Sequence, residues 1–252
     1  RCAFIGITIN YYRQRMDSTK KPLSTVSLGG TIKDSSRETA QRREKQVPEQ
    51  CAYAALLRHF SMPVPFAERP TEHADPRIHQ DILSPSSLRA AAVLIAVSRP
   101  SSAQASRVVL TLRSEKLKSH AGQVSLPGGT CDAEDDGVID TALREAEEEV
   151  GLARSEVEVI GQMGEISLPS GFRITPVIGL IDAGLTLTPC PDEVADIFHP
   201  PLDLLLDPTA YSRSITHYRG ADRTIFELPY EGFRIWGATA AILYSLAKQV
   251  GR

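Results

Sequence analysis

The chain is poor in the features that announce several common classes of protein. It has four cysteines in 252 residues, Cys2, Cys51, Cys131 and Cys190, all far apart in sequence. No C-x-x-C pair occurs, which excludes a zinc ribbon or a thioredoxin-like motif. A chain long enough to build a real core has no need of a disulfide framework, so a reduced, cytoplasmic setting is expected. Charge of one sign is also missing: the formal net charge is −3. No basic stripe with interleaved aromatics crosses the second half, so a nucleic-acid partner is not expected. No apolar run approaches the roughly 18–20 residues needed to span a bilayer. The apolar opening Cys2–Ile9 is short and has neither a basic leader nor a small-residue cleavage site. Neither a membrane span nor a secretory signal is expected.

What is present divides near Ser84. Residues 17–50 are rich in Ser, Thr, Lys, Arg, Glu and Gln, too polar to offset their ordering entropy by burial. Five prolines, Pro63, Pro65, Pro70, Pro76 and Pro85, break up the following stretch. Between them, 51–60 reads as one isolated helix. Residues 1–84 are therefore expected to be a disordered or poorly ordered extension, with an anionic partner for the basic part as the alternative. Residues 85–252 are expected to form the folded domain. There, 90–97, 107–112, 157–166, 174–181 and 224–228 read as strands. Helical periodicity covers 138–150 and 236–250. This mixture predicts an α/β layered domain.

The chemistry concentrates in Leu126-Pro-Gly-Gly-Thr-Cys-Asp-Ala-Glu-Asp-Asp-Gly137 and the helix after it, Val138 to Val150. The order is strand end, glycine turn, acidic loop, helix and glycine stop. Asp135 or Asp136 is placed to cap the helix start, and Gly151 suits the left-handed position past its end. Ile139, Leu143, Ala146 and Val150 form an apolar stripe for packing. The polar face is unusual: Glu145, Glu148 and Glu149 lie at i, i+3 and i+4, crowding three carboxylates within a turn. They stand near the helix C-terminus, where the macrodipole is already negative. A solvated acidic helix end is one reading. A site for Mg²⁺ or Mn²⁺, which take carboxylate oxygens and keep open positions for water and phosphate, is the other.

Residues Arg144-Glu-Ala-Glu-Glu-Glu-Val-Gly-Leu152 resemble the ending of the Nudix box, R-E-U-x-E-E-x-G-U, at every specified position. The Gly128-Gly129 turn also stands where that family has it. The box differs from the general form in one extra residue between Gly129 and Arg144 and in Asp135 at the first acidic position. Both differences are similar to the coenzyme A pyrophosphatase subgroup. So is the upstream run Val109-Leu-Thr-Leu-Arg113-Ser114, Lys118, Gly122 and Leu126-Pro-Gly-Gly129, with Lys118 for arginine and Leu126 for phenylalanine. The likeness extends over roughly residues 88–250.

The resemblance implies a Nudix-type α/β/α sandwich with a mixed β-sheet and a catalytic loop–helix–loop. It implies Glu145, Glu148 and Glu149 as ligands of Mg²⁺ or Mn²⁺, Arg144 as the residue that orients one of them, and the Gly129 carbonyl as a further ligand. Glu193 is the candidate general base because its loop position resembles the one several Nudix enzymes use; the alternative is a helix-start Glu in a short 192–197 turn. Arg113 and Lys118 are the expected phosphate contacts, against an ordinary solvated pair. The implied reaction is hydrolysis of the pyrophosphate in coenzyme A or a derivative, giving 3′,5′-ADP and 4′-phosphopantetheine. The alternatives are ADP-ribose, NADH or a dinucleoside polyphosphate as substrate, or a non-catalytic nucleotide-binding module. The expected partner is a small nucleotide, and a homodimer is left open.

Overall fold

A computed structural model describes residues 51–61, 88–168, 170–218 and 220–251. Its centre is β1 (Arg89–Ser98), whose sequence RAAAVLIAVS is almost continuously apolar because both of its faces are covered. β1 runs parallel to β7 (Phe172–Ile181) along its full length, from Arg89↔Phe172 to Ser98↔Ile181. On the other side of β1 lies β4 (Gly128–Thr130), antiparallel, with Val93 opposite Gly128 and Ala92 opposite Gly129. β5 (Glu158–Gln162) and β6 (Ile166–Leu168) are antiparallel to β7, so the sheet is mixed.

The period-two alternation of β1 sorts the core into two layers. Ala92, Leu94 and Ala96 face helix α2 (Val138–Val150), meeting Ala142, Ala146 and Val150. Ala91, Val93, Ile95 and Val97 face the opposite layer. That layer contains α1 (Ala52–Ser61) and α4 (Gly237–Val250), with Leu56, Ile242, Leu243 and Leu246 buried against the sheet. This is the expected α/β/α sandwich.

Two small antiparallel sheets frame it. One pairs β2 (Leu110–Arg113) with β3 (Val124–Ser125) and β8 (Val194–Phe198). The other is a meander of β9 (Ser212–Tyr218), β10 (Ala221–Tyr230) and β11 (Phe233–Trp236).

Several sequence expectations are corrected. The helix at 51–60 is not isolated. Leu56 is fully buried, and the Ala52 N–H donates to Asp203 Oδ1 at 3.1 Å, a cap lent by helix α3 (Leu202–Leu205). The Phe60 ring lies so close to Gly161 that a Cβ there would come within 2.5 Å of it. The folded unit therefore includes this helix and does not begin at residue 85. The expectations for 1–50 and 62–84 lie outside the described residues. The strand expected at 157–166 is two strands, β5 and β6. Residues 107 and 108 form only isolated bridges ahead of β2.

Candidate active site

Helix α2 carries the acidic cluster, and its orientation is the first finding. Its buried residues are Thr141, Ala142, Glu145, Ala146, Glu149 and Val150. The expected stripe is corrected at two positions: Ile139 is 40% exposed and Leu143 only half-buried. The small Ala142 and Ala146 let the helix sit close on the sheet, and this rotation turns Glu145 and Glu149 inward. Both are 1% exposed. Glu148 points outward, with half its side chain in solvent. The three carboxylates do not form one solvated patch. Glu147 pairs across 3.5 Å with Arg154, away from the cluster.

The helix ends as read from the sequence, with Gly151 at φ 67°, its N–H bonded to Glu147 O at 3.0 Å. Its start is different. The cap position is Gly137, and no side chain caps it. Asp135 is committed elsewhere, to Arg144.

Arg144 uses all five of its N–H donors. Nε donates to Asp135 Oδ1 at 2.8 Å and Nη2 to Asp135 Oδ2 at 2.9 Å, a two-pronged fork. Nη1 donates to Glu145 Oε1 at 2.9 Å and Glu148 Oε2 at 3.3 Å, and Nη2 also reaches the Thr130 carbonyl at 3.3 Å. Thr141 Oγ1 and the Asp132 N–H complete the shell of Asp135, at 2.8 and 2.9 Å. These bonds, those of Arg144 first, hold the Asp135 carboxyl far below the usual carboxylate range. Sequence reasoning missed Asp135 as a site residue because an acidic residue before a helix is ordinarily a cap. The signal was its place at the box's first acidic position.

The glycine turn is shaped around the glutamates. A Cβ on Gly129 would stand 2.4 Å from Glu145 Oε1 and 2.7 Å from Oε2, so the carboxylate occupies the space of the missing side chain. A Cβ on Gly128 would strike the Ala92 carbonyl at 2.4 Å. The Gly128 N–H donates to Glu149 Oε2 at 3.1 Å. Gly129 is required by close approach, and Gly128 by close approach together with its φ of 155°.

Two more residues reach the cluster from other elements. The segment after β7 docks on the end of α2: Thr188 N–H donates to Val150 O at 2.9 Å and Cys190 N–H to Glu149 O at 2.8 Å. These bonds satisfy carbonyls that a helix end leaves open. They also fix Glu193, whose carbonyl accepts from Ser114 N–H at 2.8 Å. The helix-start alternative for Glu193 is overturned, since the residue closes a turn and leads into strand β8. Its Oε2 is buried with no hydrogen-bond partner among the described residues. Arg113, at the end of β2, is 4% exposed. Burial pushes the Glu149 carboxyl well above its ordinary range; the Gly128 N–H and the Arg113 charge oppose this, while Glu145 and Glu193 push it further. Glu145, Glu193 and Arg113 thus each act electrostatically on the buried Glu149. Lys118 does not join them. It is exposed in the β2–β3 loop, with no hydrogen bond or ion pair to a described residue.

Among the described residues, no three acidic, histidine or cysteine side chains stand as a ready-made metal cage. The donor chemistry nonetheless suits a hard divalent cation. All the donors are oxygens, one of them, Glu193 Oε2, lacks a partner, and a cation would relieve the repulsion among Glu145, Glu149 and Glu193.

The family model described as the NUDIX domain matches residues 88–218. A Photorhabdus laumondii protein named "Uncharacterized Nudix hydrolase NudL" is 40% identical over 168 residues, covering 67% of this chain and 88% of that protein. A Yersinia enterocolitica protein of the same name is 41% identical over 167 residues, 66% of this chain and 84% of the other. A crystal structure of a Nudix hydrolase from M. Smegmatis, RenU, is 25% identical with a TM-score of 0.40, over 47% of this chain and 74% of that one. The matched segment holds β1, the Gly128–Gly129 turn and helix α2 together, and the chain belongs to the Nudix hydrolases.

Proposed function

We propose that this Nudix hydrolase cleaves the pyrophosphate of coenzyme A or one of its derivatives, giving 3′,5′-ADP and 4′-phosphopantetheine, with Mg²⁺ or Mn²⁺. The observation that carries the hydrolytic part is the packing of the buried Glu145 and Glu149 carboxylates against the Gly128–Gly129 turn. The substrate rests on the run from Val109 to Gly129, which resembles the coenzyme A subgroup.

When bound, a divalent ion neutralises charge on the pyrophosphate and lowers the pKa of an attacking water. Glu145, Glu148 and Glu149, with the Gly129 carbonyl, are the groups that would hold it. Arg144 orients Glu145 and Glu148 through its Nη1, itself anchored by Asp135. Burial raises the Glu149 carboxyl, and the Gly128 N–H and the Arg113 charge oppose that shift. Glu193 takes the proton of the attacking water, a role open to it because its Oε2 is not occupied by another donor. Positioning and electrostatics supply most of the acceleration in such chemistry, so no nucleophilic Ser or Cys is needed.

In this reading the buried Arg113 serves the glutamates, and the exposed Lys118 meets a substrate phosphate, the 3′-phosphate of coenzyme A. A charge-assisted contact of about 1.5–3 kcal/mol corresponds to roughly ten- to two-hundred-fold in kcat/KM. The test is product analysis with coenzyme A, 3′-dephospho-coenzyme A, ADP-ribose, NADH and a dinucleoside polyphosphate. Coenzyme A should be preferred, and Lys118→Ala should shrink its margin over the dephospho form. A preference for ADP-ribose or NADH removes coenzyme A and keeps the hydrolase.

A further inference from the structure

The far end of the central sheet holds an arginine without a counter-charge among the described residues. Beyond β1 the chain loops out and returns at Arg107, whose backbone is tied to the last residue of that strand. The Ser98 N–H donates to Arg107 O at 2.8 Å, and the Arg107 N–H donates to Ser98 Oγ at 2.9 Å. The guanidinium is fixed at one corner. Its Nη1 donates to the His199 carbonyl, just past β8, at 2.6 Å and reaches the Tyr230 hydroxyl at 3.5 Å. Nε and Nη2, the edge that grips an oxyanion with two parallel bonds, have no hydrogen-bond partner among the described residues. Arg107 forms no ion pair with them either, whereas Arg99, Arg144, Arg154, Arg173 and Arg234 each do.

This arginine lines a cleft of about 160 Å³. Pockets for drug-sized molecules measure roughly 300–1,000 Å³, so the space suits a small ion and not a nucleotide. Ser98 and Ile181, the last residues of the parallel strands β1 and β7, both line it. The carboxyl ends of parallel strands are where α/β sheets commonly take ligands. The cleft is also remote from the acidic helix. Gly129 pairs with Ala92, and Ser98 stands six residues further along β1, about 20 Å at about 3.3 Å per residue. Gln104 and His199 line the cleft too, and neither side chain has a hydrogen bond to a described residue. Half-buried Leu185 and Leu187 supply an apolar wall.

We infer that this cleft is a second binding site, for a monoanionic carboxylate with a short aliphatic chain. The carboxylate takes the Nε–Nη2 edge of Arg107, and the chain lies against Leu185 and Leu187. One guanidinium balances one negative charge. The Asp182 carboxylate at the rim, paired with Arg99 at 3.1 Å, disfavours a doubly charged phosphate. The site stands apart from the hydrolytic centre, so it does not depend on which nucleotide the enzyme cleaves.

The probe is butyrate, titrated into the full chain and followed by the ¹H–¹⁵N NMR signal of Arg107 Nε–H. The expected result is a saturable shift of that signal and of the Ser98 and Gly184 amides, with Gly128 and Gly129 unmoved. Inorganic phosphate should bind at least tenfold more weakly, because one charge-assisted contact of the kind is worth about that factor. Butylamine, which has the same chain and the opposite charge, should not bind. Arg107→Lys keeps the charge and loses the two-pronged edge, and should weaken butyrate about tenfold by calorimetry. The wild-type titration decides the matter even if that variant fails to fold. No saturable shift at Arg107, phosphate binding equal to that of butyrate, or shifts centred on Gly128 and Gly129 would overturn the inference.

Discussion

Replacing Asp135 by Asn tests the arrangement on which the acidic helix depends. The carboxylate accepts four hydrogen bonds, two from Arg144 and one each from Thr141 Oγ1 and the Asp132 N–H. Its side chain is 4% exposed and that of Arg144 is 19% exposed, so solvent screens the pair only slightly. Removing one partner of a buried pair costs roughly 3–5 kcal/mol. Arg144 keeps Glu145 and Glu148 as counter-charges and the amide keeps one acceptor oxygen, which lowers the expected cost to about 2–3 kcal/mol. At about 2–4 °C per kcal/mol for a domain of this size, Tm should fall by about 5–10 °C. The folded pKa of Asp135 is depressed. Its stabilisation is therefore fully present above the unfolded value of about 4 and is lost as pH falls below it. Thermal melts of wild type and Asp135→Asn, followed from neutrality into the acid range, should show a constant gap that closes only below about pH 4. Turnover should fall about 10–100-fold as Arg144 loses its anchor. Equal Tm values at neutral pH, or a gap that closes well above that range, would refute the reasoning.

Glu149→Gln should abolish turnover at saturating Mg²⁺ while Tm holds or rises, because it removes a desolvated charge flanked by Glu145 and Glu193; near-normal activity counts against the metal assignment. Glu193→Gln should lower kcat by roughly 10²–10⁴-fold, the usual effect of losing a general base. Metal affinity measured by titration calorimetry should be unchanged, and an unaltered rate returns the residue to a structural part. Leu56→Ala should cost roughly 2–5 kcal/mol by leaving a cavity in the main core. Limited proteolysis of the wild type should accordingly keep the helix Ala52–Ser61 with the domain, and its release without loss of stability would show that its packing is dispensable.

Local sequence was enough to set the helix Val138–Val150 and its glycine stop, because both depend on neighbours within a turn. It was also enough for the two-sided burial of β1, which an unbroken apolar run states directly, and for the spacing of Arg144, Glu145, Glu148 and Glu149. The rotation of that helix was beyond it. Ile139 and Leu143 are as apolar as a buried residue should be, yet the closeness of β1 and β4 selected Ala142 and Ala146 for contact and drew two glutamates inside. The fork of Asp135 on Arg144 needed the acidic loop folded back over the helix. Arg113 and Glu193, eighty residues apart, act electrostatically on Glu149 only because β2 pairs with β8 and because the segment after β7 bonds to the open carbonyls of α2. The helix at 52–61 looked isolated for the same reason. Its partners Asp203 and Gly161 are more than a hundred residues further along the chain. Charge and periodicity are properties of a segment, whereas burial is a property of what the rest of the chain places against it.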